Sequence, residues 1–503
     1  MNQHPTASNA TQANNADAAA PGPRRAQPLG PIEIERAIGA FLGAAVGDAL
    51  GAPFEFGAPL AYRTKYPLPV IGDRGEMTGG GGFGWAPGEF TDDTQMALAL
   101  AESMLAHDGI DSTDLWQRWR AWAATARDVG VITSAALARP EWAGAATAAH
   151  DDLGRSAGNG ALMRTVAVGL WFAARSHLDA AGDITERTMQ AALQQSALTH
   201  HDPAAGWGAA IAAELVRRTI LGDDPIAELA DVVGRVPAAV VPMFATMLHP
   251  DWQPGSAAEP GNGSVWGCLA QAVWALRHHE SFHDVVTAAI DLGGDTDTVA
   301  CVAGALAGAR CGMQAIPSRW TTYVHGSLDT PEGTVQYDNA SLQALAIRLL
   351  GRFPGPLNSP DPTVGPQQVL PGVFAADLTG ASRAAGDGFA VLSLCRTGGA
   401  FAGVPMRREV YLFDQDAHDA NPSLHSAVRD AVDTIDAWRA EGRQVLVHCH
   451  GGRSRTALVL KAYAMRLHGW SADDAHEWLL DEWPAYQPWN GTFMHFLASE
   501  WCK

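Results

Sequence analysis

The stretch DLGGDTDTVACVAGALAGARCG (Asp291–Gly312) sets two glycines and two acids ahead of a long apolar run. The run is apolar on every side for more than three turns, which marks a helix buried all round. Gly293 and Gly294 allow the backbone to approach a neighbour closely. One cap satisfies a helix start, yet four residues here hold Asp295 and Asp297 with the hydroxyls of Thr296 and Thr298. FTDDTQMALALAESML (Phe90–Leu105) repeats the design far upstream, with Thr91, Asp92 and Asp93 before an apolar helix. Taken alone, that upstream trio also suits plain N-capping, because free N–H groups and the helix dipole favour Thr and Asp there.

Around these two helix starts the pattern stays helical from Ile32 to about Arg352. Alanine-rich amphipathic stretches recur at Gln95–Ala106, Met189–Leu198, Gly206–Leu221 and Ser264–Arg277, separated by short loops with Gly, Pro or Asp. Alternating strands are missing, so residues 32–352 are expected to form an all-α domain. Residues 1–31 hold few large apolar side chains and are expected to be a disordered tail. The six prolines of FPGPLNSPDPTVGPQQVLP (Phe353–Pro371) mark a linker over 353–370. Beyond it, FAVLSLC (Phe389–Cys395), VYLF (Val410–Phe413) and QVLVHC (Gln444–Cys449) have the character of short buried strands. They alternate with helices at Leu424–Glu441 and Thr456–Leu467, so residues 371–503 are expected to form a small α/β domain with a parallel sheet.

Composition narrows the function. The 503 residues carry 34 Lys and Arg against 54 Asp and Glu, a formal net charge of -20. That acidity argues against a basic nucleic-acid grip and against an anionic membrane surface. No apolar run long enough to span a membrane and no secretory signal is evident. The six cysteines (Cys268, Cys301, Cys311, Cys395, Cys449, Cys502) have no CxxC spacing and make no disulfide framework, so a reducing cytoplasm is the expected compartment.

The two acidic segments together offer four carboxylates and several hydroxyls. Hard oxygen donors suit Mg²⁺, Mn²⁺ or Ca²⁺. Four converging carboxylates repel unless cations lie between them, and a two-metal site resolves the conflict. Three further segments point to the same pocket. GAAVGDALGAPFEF (Gly43–Phe56) holds Asp48 and places Glu55 among apolar residues, where a lone acid needs a partner. RSAGNGALMR (Arg155–Arg164) is a turn whose N–H groups suit a phosphate. SALTHHDPAAGWGAA (Ser196–Ala210) places His200, His201 and Asp202 before another helix. The Gly-rich MTGGGGFGWAPGEF (Met77–Phe90) has Phe83 and Trp85 at its tip, in the manner of a mobile lid that stacks on substrate.

Five of these segments, in this order, resemble the ADP-ribosylglycohydrolases of the dinitrogen-reductase-activating type: GDALGAPFE (47–55), FTDDTQM (90–96), GNGALMR (158–164), LTHHDP (198–203) and GGDTDTVA (293–300). The resemblance implies an all-α fold with a binuclear Mg²⁺ or Mn²⁺ centre that frees ADP-ribose from an acceptor, commonly a protein side chain. It implies metal ligation by Thr91, Asp92, Asp93, Asp295, Asp297 and Thr298, with Glu55 near the scissile bond. It also implies that Ser156, Gly158, Asn159 and Gly160 cradle the diphosphate or distal ribose and that His200 contacts ADP-ribose. Asp93, Asp295 and Glu55 all remain candidates for the group that takes a proton from water.

VLVHCHGGRSRTALVLKAY (Val445–Tyr463) brings a strand, Cys449, five residues, Arg455 and a helix into one motif. A helix N-terminus and an arginine favour a thiolate, and loop N–H groups make an anion nest. The motif resembles the dual-specificity phosphatases. That resemblance implies Cys449 as nucleophile, Arg455 as phosphate binder and Thr456 as a hydroxyl assisting the leaving thiolate. The general acid is expected in FDQDAHDAN (Phe413–Asn421), at Asp416 by spacing, with Asp414 and Asp419 as alternatives. The whole chain is thus expected to be a two-domain hydrolase acting on an ADP-ribosylated and a phosphorylated substrate. The alternatives are a phosphatase with an ADP-ribose-binding targeting module, and a reader without turnover.

Overall fold

The computed structural model describes residues 28–178, 183–255, 261–352 and 364–502. Most of the expected tail and of the Pro-rich linker lies outside these residues. The first domain is built on helix α1 (Pro31–Gly51), which lies against α3 (Thr296–Cys311), while α2 (Asp92–His107) contacts both. Small residues decide that contact. A Cβ on Gly43 or Gly47 would lie 2.4 Å from the Gly304 carbonyl oxygen or 2.0 Å from that of Ala300, so the two backbones touch where those side chains are missing. Gly51, one turn further on, is in the same relation to Thr296 and Asp297. The glycine stripe therefore delivers the end of α1, and Glu55 beyond it, to the start of α3.

By composition, Pro31–Phe54 is long and apolar enough to cross a membrane, contrary to the expectation that no such run exists. Its apolar window is 94% buried in the helical domain, which accounts for its hydropathy without a membrane. A second departure is a hairpin of β1 (His325–Thr330) and β2 (Gly333–Asp338) late in the domain. Glycines, threonines and acids dilute its alternation, so it carries little apolar period.

The second domain has a five-stranded sheet of order β3–β4–β7–β5–β6. Its strands are β3 (Gln367–Leu370), β4 (Val373–Ala376), β5 (Ala390–Ser393), β6 (Arg407–Glu409) and β7 (Val445–His448). All pairs are parallel except β3 with β4, whose edge placement tolerates the neighbouring prolines. Two expectations need correction here. Gln367–Leu370 is a strand rather than linker, and VYLF follows the strand β6 instead of forming one. Helices α4 (Leu424–Ala440) and α5 (Arg455–His468) cover the sheet.

The domains are joined by buried polar contacts. Arg408 is fully buried on β6 and donates to the Tyr323 hydroxyl at 3.0 Å and to the Ile71 carbonyl at 2.9 Å. Ser318 N donates to Asp430 at 2.8 Å, and Gln314 reaches the carbonyl of Tyr411 at 3.1 Å.

Candidate active sites

The start of α2 is held by an acid from α1. Asp48 is fully buried, and its carboxylate accepts from Thr91 N at 3.0 Å, Thr94 N at 3.0 Å and the Thr94 hydroxyl at 2.5 Å. Asp48 therefore takes over the free N–H groups, leaving Asp92 and Asp93 available for other work. On the opposite side, Phe56 N donates to Gly294 O at 2.6 Å and Gly294 N to Gly57 O at 3.2 Å. Gly293 and Gly294 sit at φ 75° and 74°, the left-handed turn that glycine adopts without strain. This short bridge brings Glu55, Asp295 and Asp297 together, with one carboxylate oxygen of each within 4.8 Å of the others. The Thr298 hydroxyl reaches Asp93 at 3.3 Å.

Burial and mutual repulsion shape the charge. Glu55 is pushed up to about 8, by burial first and then by Asp128, Asp295 and Asp48. Asp92, Asp93 and Asp297 are also raised well above the usual carboxylate range, by burial and by their neighbours. Glu55 Oε2 and Asp93 Oδ1 are buried without hydrogen-bond partners. Repelling carboxylates with orphaned oxygens are what a hard divalent cation satisfies, so the residues fit a metal site.

These acids open into a cleft of about 1050 Å³. Gly158, Asn159, Gly160, His200 and Phe83 line it, whereas the expectations for Ser156 and Trp85 change. Ser156 is fully buried, with its hydroxyl 2.8 Å from His150 Nδ1 and accepting from Asp202 N at 2.8 Å, so it braces the loop instead of facing a ligand. Asn159 donates to Asp295 at 2.8 Å and thereby orients an acid. Trp85 is buried under Arg127, 4.2 Å from its ring, and anchors the glycine loop while Phe83 faces the cleft.

His200 is held neutral, its pKa lowered to about 3 by burial and then by Arg164. Arg164 donates to the Thr199 hydroxyl at 2.9 Å, and that hydroxyl lies 2.8 Å from His200 Nδ1. The other ring nitrogen, Nε2, faces Gly158 and Gly160.

Two residues of this site were missed. Asp128 lines the cleft and is pushed up to about 6 by burial and Asp295, but it stands in a loop with no spacing tied to the other acids. Asn262 accepts from Asp295 N at 3.1 Å and donates to Gly293 O at 2.8 Å. A signal for it existed. Gly-Asn-Gly occurs at 158–160 and again at 261–263, and the two copies pair through Gly158 and Ser264.

In the second domain Cys449 directly follows β7, and the loop His450–Ser454 leads into α5. His448 is neutral, lowered to about 4 by burial, and lies 2.7 Å from the Ser393 hydroxyl. Arg455 donates to Leu412 O at 3.1 Å, and its Nε lies 3.5 Å from Asp414. That last contact is an ion pair without hydrogen-bond alignment: Arg455 Nε, Asp414 Oδ1 and the Thr456 hydroxyl are all buried and unpartnered. Asp416, the acid favoured by spacing, turns away and accepts from Thr492 N at 2.7 Å and the Thr492 hydroxyl at 2.8 Å, capping a helix start. Asp414 is the acid that lies beside Arg455.

The family model for ADP-ribosylglycohydrolase matches residues 30–356. The chain belongs to the ADP-ribosylglycohydrolase family. That family is metal-dependent, in keeping with the acidic group at Glu55, Asp295 and Asp297. The dual specificity phosphatase catalytic domain matches residues 404–499. An ADP-ribosyl-[dinitrogen reductase] glycohydrolase of Rhodospirillum rubrum is 30% identical over 296 residues, covering 58% of this chain and 90% of that protein. An ADP-ribosylarginine hydrolase Tri1 of Serratia proteamaculans is 30% identical over 296 residues, 57% of this chain and 74% of that one. The protein-tyrosine-phosphatase IBR5 of Arabidopsis thaliana is 29% identical over 128 residues, 24% of this chain and 50% of that protein. The fold is thus a helical ADP-ribosylglycohydrolase domain followed by a small α/β domain of the dual-specificity type.

Proposed function

We propose that the first domain hydrolyses the glycosidic bond between ADP-ribose and an arginine side chain, with two Mg²⁺ or Mn²⁺ ions held by Thr91, Asp92, Asp93, Asp295, Asp297 and Thr298. The observation that carries this reading is the convergence of Glu55, Asp295 and Asp297 at the cleft. Cations held by these residues would supply orientation of the ribose hydroxyls and a lowered pKa for a nearby water. Carboxylates near the ribosyl carbon stabilise the positive charge that builds as its bond breaks. Glu55, raised by its surroundings, is suited to exchange a proton at that bond. His200 Nε2 and the bare backbone at Gly158 and Gly160 are suited to contact ADP-ribose, and Arg155 adds positive charge at the cleft. Asp128 gives the cleft a further acid, which favours a cationic guanidinium acceptor over a neutral hydroxyl. The name of the Serratia relative agrees with this acceptor.

The second domain is proposed to hydrolyse a phosphate monoester. Cys449 is the nucleophile, Arg455 binds the phosphoryl oxygens, Thr456 assists the departing thiolate and Asp414 is the general acid. We further propose a cytoplasmic location, on the cysteine usage alone. Asp92→Asn and Asp297→Asn test the first reading: ADP-ribose release from an ADP-ribosylarginine peptide should fall by at least about 100-fold in folded protein. Retained turnover in both variants refutes it, and tight ADP-ribose binding without turnover in the parent points to a reader. Cys449→Ser should abolish aryl phosphate hydrolysis, and an undiminished rate removes the assigned nucleophile.

A further inference from the structure

We propose that Gln314, a residue of the helical domain, is a positioning residue for the phosphatase site. It holds the loop 410–421, and with it Asp414, in place beside Arg455. The proposal rests on the reading of Cys449, Arg455 and Asp414 given above.

Gln314 stands in the short turn Met313–Ala315 that follows α3 and is buried at 7% exposure. Its backbone N is fixed by Glu35 of α1 at 2.6 Å. Its side-chain amide donates to the Tyr411 carbonyl at 3.1 Å and to Asn421 Oδ1 at 2.7 Å. Asn421 in turn clamps the residue next to the acid, accepting from Phe413 N at 2.8 Å and donating to Phe413 O at 2.9 Å. On the other side of the loop, Arg455 holds the Leu412 carbonyl. The loop forms no strand beyond Glu409, so side chains do the work that a ladder does elsewhere. One amide from the first domain therefore supports both ends of the segment that carries Asp414. Without it the Tyr411 carbonyl loses a donor, Asn421 loses one of the two on its oxygen, and the loop has reason to shift.

The consequence is chemical. Cys449 sulfur forms a bond to phosphorus as the ester oxygen–phosphorus bond breaks, and the proton of Asp414 goes to the departing oxygen. Water then cleaves the sulfur–phosphorus bond, giving phosphate and thiolate, and its proton returns to Asp414. Only the first transfer depends on how basic the departing oxygen is. A displaced acid should therefore slow esters of weakly acidic phenols and spare those of strongly acidic ones.

The test uses the full chain with phenyl phosphate and difluoroumbelliferyl phosphate. Gln314→Leu should lower kcat/KM on phenyl phosphate about tenfold and leave the acidic ester within about twofold. Asp414→Asn should give the same pattern at about 100-fold. Gln314→Met, which keeps the length of the side chain but lacks its donor, should reproduce the Gln314→Leu signature, and it keeps the proposal testable if Gln314→Leu fails to fold. ADP-ribose release should be unchanged in all three. Equal loss on both esters, or none, overturns the positioning role while the phosphatase reading stands. A parent that hydrolyses neither ester removes the phosphatase reading and this inference with it.

Discussion

Replacing Gly51 by alanine tests whether the close contact of α1 and α3 is what assembles the acidic centre. A Cβ there would lie 2.6 Å from both Asp297 Cα and the Thr296 carbonyl oxygen. Ordinary contact needs about 0.8 Å more, and no flexible side chain is there to yield, so a helix end must move by roughly 1 Å. The residue displaced is Asp297 itself, and a misplacement of that size costs about 100-fold in rate. Gly308→Ala is the control. Its Cβ would meet the Gly39 carbonyl oxygen at 2.0 Å, at the end of the stripe away from the acids. Both variants should lose about 1–3 kcal/mol of stability by overpacking. Measured below their melting temperatures at saturating Mg²⁺, Gly51→Ala should release ADP-ribose at about 1% of the parent rate. Gly308→Ala should stay within about threefold of the parent. Equal activities in the two variants would refute the assignment of the stripe to the site.

Three other expectations follow from the same geometry. Asp414→Asn should cut phenyl phosphate hydrolysis about 100-fold, whereas Asp416→Asn should leave it within about threefold, because Asp416 only caps a helix on the exposed side; steady-state kinetics decides it. Glu35, pushed up by burial from 4.5 to about 7, remains protonated when folded at pH values where the unfolded chain has lost its proton. That contribution is complete below 4.5 and fades as the pH rises through about 7, so Glu35→Gln should gain about 2–3 kcal/mol on the parent near pH 8 and about none near pH 4, read from denaturant melts. Asp128→Asn should weaken cleavage of arginine-linked ADP-ribose about tenfold more than that of a serine-linked substrate, as paired kcat/KM values reveal.

The helical class and both family motifs were legible because each is local. Apolar period fixes helices such as α2 and α4, and the Cys449–Arg455 loop announces itself by a strand, two glycines and a helix. The doubled acids before α2 and α3 showed that something beyond capping was needed. What stayed hidden is what only the packed chain decides. Ser156 and Asn159 belong to the same short turn, yet the fold buries the first against His150 and Asp202 and turns the second onto Asp295. Spacing to Cys449 favoured Asp416, but the loop has no strand geometry to set its direction, and Asp416 turns to Thr492 while Asp414 lies beside Arg455. Asp128 reaches the cleft through a loop that no periodicity describes. The β1–β2 hairpin has too little alternation to be seen, and β3 was masked by prolines that an edge strand tolerates.

The most direct test of the central claim is release of free ADP-ribose from an ADP-ribosylarginine peptide, followed by mass spectrometry with Mg²⁺, with EDTA and with Mg²⁺ restored. The account predicts release with metal, loss with chelator and recovery on restoration. Release that is indifferent to EDTA, or none at all from folded protein that binds ADP-ribose, would contradict it.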